Sequence, residues 1–266
     1  MTRNAEWPTR FEDHEYPQVI PEPDDIVRGA PAPWSHLSDA ERGGFSLDLV
    51  VERLRASGRT FDAAPMPSDP AEMIAVADAH HQPITRKAAV LVALFEEDGE
   101  TQVILTRRSF ELRNHRGEIA LPGGRCEDGE TQVEAALREA HEEVGVDPAL
   151  VEPVAWLSPI VTFASGSAIW PVVGLLAGRP TMVAEPSEVE RVFTVALREL
   201  VGDGAFIEER WRRELPRPGI DADGYFPIYF YRVPGDVIWG ATARVLTELL
   251  CIAAGVQWPD ERRLWA

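Results

Sequence analysis

Residues Gly124 to Val146 read GRCEDGETQVEAALREAHEEVGV, and the spacing within them decides the fold. At roughly 100° per residue, Val133, Ala136, Leu137, Ala140 and Val144 fall on one stripe, which predicts an amphipathic helix packing that stripe inward. Glu130 and Thr131 stand at its start, and Gly145 is placed to stop it. Glu139 and Glu143 are four apart and stand one above the other on a neighbouring face, with Glu142 flanking them.

This placement is locally unfavourable. Like charges at i, i+3 and i, i+4 repel by a few tenths of a kcal/mol, roughly, per pair. Acids near a helix C-terminus also oppose the macrodipole, by about 0.3–1 kcal/mol each. A divalent cation would offset both, because hard oxygen ligands on one rigid helix suit Mg²⁺ or Mn²⁺. The competing reading is a solvated acidic face, with Glu134 and Arg138 as an ordinary i, i+4 pair. Gly123 and Gly124, just upstream, let backbone come close to a ligand because no Cβ intervenes.

Working upstream, residues 104–124 read ILTRRSFELRNHRGEIALPGG. Between Arg107 and Gly117, Arg107, Arg108, Arg113 and Arg116 stand against a single acid, Glu111, within a chain of net charge −18. Guanidinium groups bind phosphate through a planar fork of donors, and His115 can donate or accept near neutral pH. A basic loop beside an acidic helix suits a phosphate ester carried with a divalent cation. The competing reading is a surface loop whose arginines pair with nearby acids.

Further out, KAAVLVALFE and TQVILTRR flank the turn EEDGE, which predicts a hairpin over 87–107. GEIALP reads as a short third strand. Beyond the helix, VEPVAWLSPI, IWPVVGLLAG, FIEERWRRE and GYFPIYFYRV read as strands, and DVIWGATARVLTELLCIAAG as an amphipathic helix. SLDLVVERLRAS, 46–57, predicts another helix. The expected architecture is α+β, an α/β/α sandwich on a mixed sheet. Residues 1–45 are rich in proline and acid and are expected to form an extended or disordered arm. Residues 46–84 follow as a helix and connector, 85–257 as the principal domain, and 258–266 as a tail.

Composition bounds the remaining possibilities. The chain has 266 residues, 45% of them apolar, which is enough for one sizeable core. So strong a negative charge disfavours a nucleic-acid partner. No stretch is long and apolar enough to cross a bilayer or to serve as a secretory signal, so a cytoplasmic protein without a membrane partner is expected. Cys126 and Cys251, the two cysteines, are far apart, which disfavours a disulfide framework or a cysteine-based zinc site. Trp156, Trp170, Trp211 and Trp239 are read as core fillers.

The string Gly124, Glu130, Arg138-Glu139-Ala140, Glu142-Glu143, Gly145-Val146 resembles the Nudix box, the signature of hydrolases acting on nucleoside diphosphates linked to another moiety. Seven fixed identities match in register, which chance would give at about 10⁻⁸ per starting position. Ala140 is smaller than the usual aliphatic residue. The resemblance implies a Nudix fold, with Glu139 and Glu143 as principal metal ligands and Glu142 as a further ligand or as the base. It implies that Glu130 and Arg138 brace the loop against the helix, and that Gly123 presents a backbone carbonyl to the metal. Glu185, Glu188 and Glu190 are three further acids, any one of which could supply a ligand or base.

The upstream loop is similar to the motif of coenzyme A pyrophosphatases within that superfamily. It matches at Leu105-Thr106, Arg108-Ser109, Arg113, Gly117 and Pro122-Gly123-Gly124, and departs at Ile104 and Leu121. What this resemblance implies is Mg²⁺- or Mn²⁺-dependent hydrolysis of coenzyme A to 3′,5′-ADP and 4′-phosphopantetheine. Arg108 and Arg113 are then the expected phosphate contacts, followed by Arg107, Arg116 and His115. Two alternatives stay open: hydrolysis of ADP-ribose, NADH or a nucleoside triphosphate, and a non-catalytic nucleotide sensor. A small-molecule nucleotide is the expected partner, and a homodimer is compatible with the sequence.

Overall fold

The computed structural model describes residues 18–21, 23–61, 86–162, 166–212 and 224–258. The first part of the expected arm, the connector from 62 to 85 and nearly all of the tail lie outside the described residues. Strands β2 (Arg86–Glu97) and β3 (Glu100–Arg108) form the expected hairpin. Asp98 and Gly99 turn it with φ of 53° and 78°, the left-handed pair that a two-residue hairpin with right-twisted strands requires. β2 is buried on both faces, which explains its unbroken apolar run. Ala89, Leu91, Ala93 and Phe95 face one core, and Val92 and Leu94 face another.

The chain continues through β4 (Ile119–Ala120) and β5 (Gly123–Arg125) into helix α3 (Gln132–Val144). It returns through β6 (Glu152–Trp156) and β7 (Ile160–Thr162) to β8 (Ser167–Leu175). β8 lies parallel to β2, whereas β2–β3, β2–β5 and β6–β8 are antiparallel, so the sheet is mixed. β9 (Val189–Ala196) pairs antiparallel with β3. α3 covers one face of this sheet through Ala135, Ala136, Ala140 and Val144.

The other face meets a second sheet together with two helices. These helices are α2 (Leu47–Ala56) and α5 (Gly240–Ala254). The second sheet runs in the order β1-β10-β11-β12, where β1 is Ile26–Arg28, β10 Phe206–Arg212, β11 Tyr225–Val233 and β12 Asp236–Trp239. The short helices α1 (Asp39–Arg42) and α4 (Leu197–Leu200) complete the described elements of more than one turn.

Five features differ from the sequence reading. GEIALP keeps only the two-residue β4, with β5 following it at Gly123, and VEPVAWLSPI holds β6 and ends on the first residue of β7. Asp236–Trp239 leaves the last helix and becomes β12, paired to β11. α5 is not amphipathic, since Ala243 through Cys251 are all buried, as expected of a helix enclosed on every side. β9 was not foreseen, because its first half mixes exposed charged residues with apolar ones. The segment 23–45, expected as an arm, is built into the domain. Trp34 is 1% exposed and stacks on Tyr231 with centroids 6.5 Å apart, and the Phe45 carbonyl accepts from Thr101. Two large buried rings outweigh the ordering entropy that the prolines already reduce. Among the described residues, no helix is long and apolar enough to cross a membrane.

Candidate active site

Helix α3 begins on a capping box, in which the Thr131 hydroxyl and the Glu134 carboxylate satisfy each other's backbone amides. Glu134 is thereby committed to the cap, so the expected alternative pair with Arg138 does not form. Arg138 instead donates from Nε to Glu130 at 2.8 Å and from Nη2 to the Arg125 carbonyl at 2.9 Å. Its Nη1 reaches Glu139 and Glu142, each at 3.0 Å. One guanidinium therefore ties the loop after β5 to three acids, and its bond holds Glu130 below the usual carboxylate range. The helix stops at Gly145, φ 71°.

The buried face of α3 is rotated from the expected stripe. Ala135 and Glu143 are buried, while Val133 and Leu137 are only partly so. Glu143 is 3% exposed and lies against the Gly123–Gly124 turn. The Gly123 amide donates to its Oε2 at 3.0 Å. A Cβ at Gly124 would overlap the Glu139 carboxylate, and one at Gly123 would overlap the Ala89 carbonyl. Backbone contact requires glycine at 123, whereas at 124 a side chain would displace the Glu139 carboxylate. The sequence assigned the Gly123 carbonyl to the site; the group the structure brings there is its amide.

Burial pushes Glu143 up to about 7, with Glu139 and Glu188 adding to the rise and the Gly123 amide and Arg108 opposing it. Burial also raises Glu139, against the pull of Arg138, with Glu142 and Glu188 repelling it. Glu188 thus acts on both carboxylates, the one of the three acids 185, 188 and 190 whose charge raises both. It is held there by backbone: Ser109 N–H donates to the Glu188 carbonyl at 2.8 Å, and Glu185 N–H to the Glu143 carbonyl at 2.9 Å.

Arg108 places Nη1 3.6 Å from Glu143 Oε1. Arg107, expected as a phosphate contact, lies on the opposite face of β3 and donates to Asp236 Oδ1 at 3.0 and 2.6 Å, so it turns away from the acids into a part-buried ion pair. Arg113, His115 and Arg116 are exposed on the loop. His115 bonds Glu118 at 3.0 Å, which raises its pKa. Cys126 is half-buried, and burial raises its thiol, which disfavours a reactive thiolate.

Two of the three carboxylates expected to converge, Glu139 and Glu143, face the glycine turn. The third, Glu142, has a side chain 58% exposed and is held by Arg138. Among the described residues, no three acids, histidines or cysteines stand close enough to form a ready-made ion cage. The donor set nonetheless fits a hard divalent cation. Burial raises both carboxylates, and they gather with the field of Glu188 against the Gly123–Gly124 backbone, where Arg108 and Arg138 offset their charge only in part.

The NUDIX domain family model matches residues 85–215. Nudix hydrolase 15, mitochondrial, of Arabidopsis thaliana is 39% identical over 168 residues, covering 60% of this chain and 56% of its own. The protein named Uncharacterized Nudix hydrolase NudL of Photorhabdus laumondii is 33% identical over 167 residues, covering 62% of this chain and 83% of its own. Among solved structures, the Nudix hydrolase RenU of M. smegmatis aligns with a TM-score of 0.37 at 23% identity, over 43% of this chain and 73% of that one. The chain belongs to the Nudix family. It spans little more than half the length of the Arabidopsis relative.

Proposed function

We propose that this chain hydrolyses the diphosphate of a nucleoside diphosphate derivative with the help of a divalent cation, and that coenzyme A is its substrate. The observation that carries the reading is Glu143: a buried carboxylate held by the Gly123 amide and facing Arg108. The similarity of the 104–124 loop to the coenzyme A pyrophosphatase motif supports the choice of substrate.

Glu139 and Glu143 would hold Mg²⁺ or Mn²⁺, with Glu188 or Glu142 completing the set. A bound cation of this kind neutralises diphosphate charge and lowers the pKa of its water. The chain's own residues do the positioning. The Gly123 amide fixes Oε2 of Glu143, and Arg138 fixes Glu139 and Glu142. Arg108, at the mouth of this cluster, turns its guanidinium to the diphosphate, where a planar fork matches two phosphate oxygens. Arg113 and Arg116 on the exposed loop receive the 3′-phosphate. Glu142, the most exposed of the three box acids, accepts the proton of the attacking water. Water adds to one phosphorus, the bridging P–O bond breaks, and 3′,5′-ADP and 4′-phosphopantetheine separate.

The test is mass-spectrometric product identification after incubation with Mg²⁺ or Mn²⁺ and a panel of coenzyme A, dephospho-coenzyme A, ADP-ribose, NADH and nucleoside triphosphates. Coenzyme A cleaved faster than its dephospho form is the expected result. Preferential cleavage of another member reassigns the substrate, and turnover of none across the panel refutes the enzymatic reading.

A further inference from the structure

Arg107 and Arg191 stand directly opposite each other across the β3–β9 pair. Like charges so placed repel and weaken the pairing. Between Arg107 and Arg108 the register shifts, so that Arg108 pairs with Val189 and Glu190 is skipped. Such a bulge bends its strand and re-aims the side chains beside it. The residues just past the shift are the ones next to the site: Arg108, whose guanidinium faces Glu143, and Glu188, whose backbone carbonyl the Ser109 amide holds and whose charge acts on Glu139 and Glu143.

One buried acid holds this arrangement together. Asp236, 7% exposed at the start of β12, accepts from Arg107 on Oδ1 and from Arg191 on Oδ2 at 2.5 Å. The Arg191 guanidinium also lies over the Phe193 ring, 4.6 Å from its centroid. Asp236 belongs to the second sheet and comes 93 residues after Glu143 in the chain, beyond the span of the family model. It meets the larger sheet on the face opposite α3 and bridges the two arginines of the last regular β3–β9 pair before the register shifts, offsetting part of their repulsion.

We infer that Asp236 is a positioning residue: by bridging Arg107 and Arg191 it locks the register shift that aims Arg108 and Glu188 at the carboxylates of α3. The part concerning Arg108 rests on the functional reading above; the part concerning the register does not. Asp236→Asn keeps the shape but removes the charge, and Arg107→Met removes one partner of the bridge. Asp236→Glu keeps the charge as a rescue variant.

The experiment measures amide hydrogen exchange at Ser109 and ADP affinity by calorimetry with Mg²⁺ in the full chain. Asp236→Asn and Arg107→Met should both speed exchange at Ser109 and weaken ADP by about tenfold, as a misaligned phosphate contact does, with Asp236→Glu recovering most of it. In an Arg108→Ala background, Asp236→Asn should add less than about twofold, because residues acting through one contact do not add. Unchanged exchange at Ser109 in both variants overturns the inference, as does a full tenfold loss that persists without Arg108. Faster exchange with an Arg108→Ala variant that binds ADP normally leaves the register lock standing and overturns the functional role given to Arg108 instead.

Discussion

Replacing Glu143 by Gln preserves shape and removes one charge from a cluster in which Glu139 and Glu188 repel it. Turnover should fall by about 10²–10⁴, the scale of a lost electrostatic or metal-organising group, while ADP still binds; unchanged turnover would show the metal assignment to be wrong. The same residue sets a pH dependence of stability. Its folded pKa, about 7, lies above the ordinary carboxylate value of 4.5. The folded state therefore binds more protons than the unfolded state between these values. In the cation-free protein the favourable contribution is fully present below pH 4.5 and is lost as pH rises through 7. The loss is about 3 kcal/mol at about 1.4 kcal/mol per unit. Thermal melts in EDTA across this range should show the decline, and Glu143→Gln should flatten it. Mg²⁺ or Mn²⁺ added at pH 8 should raise the wild-type midpoint and leave the Gln variant nearly unmoved. The acids of α3 are legible because their spacing is local. The roles of Glu188 and Asp236 are not, since they depend on a backbone bond between residues 109 and 188 and on a side-chain contact between the two sheets at residues 107 and 236.

α3 and the turn before it form one unit, and two substitutions separate its stability from its chemistry. Thr131→Ala removes the N-cap acceptor and the partner of Glu134; it should cost about 1 kcal/mol, read by urea unfolding, with turnover little changed. Gly124→Ala forces a methyl group into the Glu139 carboxylate. Its signature should be the reverse: a midpoint within a few degrees of wild type and severely reduced activity. An active, normally stable Gly124→Ala would mean that Glu139 can move away without consequence. Among the elements, α2, the β2–β3 hairpin and α3 could be read directly, because each carries its own periodicity and stop signals. β9 hides its alternation behind charged residues that pair across sheets. β12 and α5 merged in the sequence reading because an apolar run looks the same in a buried strand and in an enclosed helix.

At the scale of the molecule, the segment 23–45 is part of the core, and composition misjudged it because two anchors outweigh many prolines. Trp34 touches Tyr231 and Phe206. Trp34→Ala should therefore cost about 3–5 kcal/mol, measurable as a shift in denaturation midpoint, and removal of residues 1–45 should yield aggregated protein. A truncated form that melts like the full chain would restore the arm reading. The contact between α2 and α5, where Arg53 donates to the Ala253 carbonyl, joins segments two hundred residues apart. During synthesis α2 leaves the ribosome long before its partner exists, and its apolar side waits unpaired meanwhile. Nascent chains stalled before residue 254 should thus stay open to protease at the α2 segment, and resistance should arise only after the last helix clears the exit tunnel.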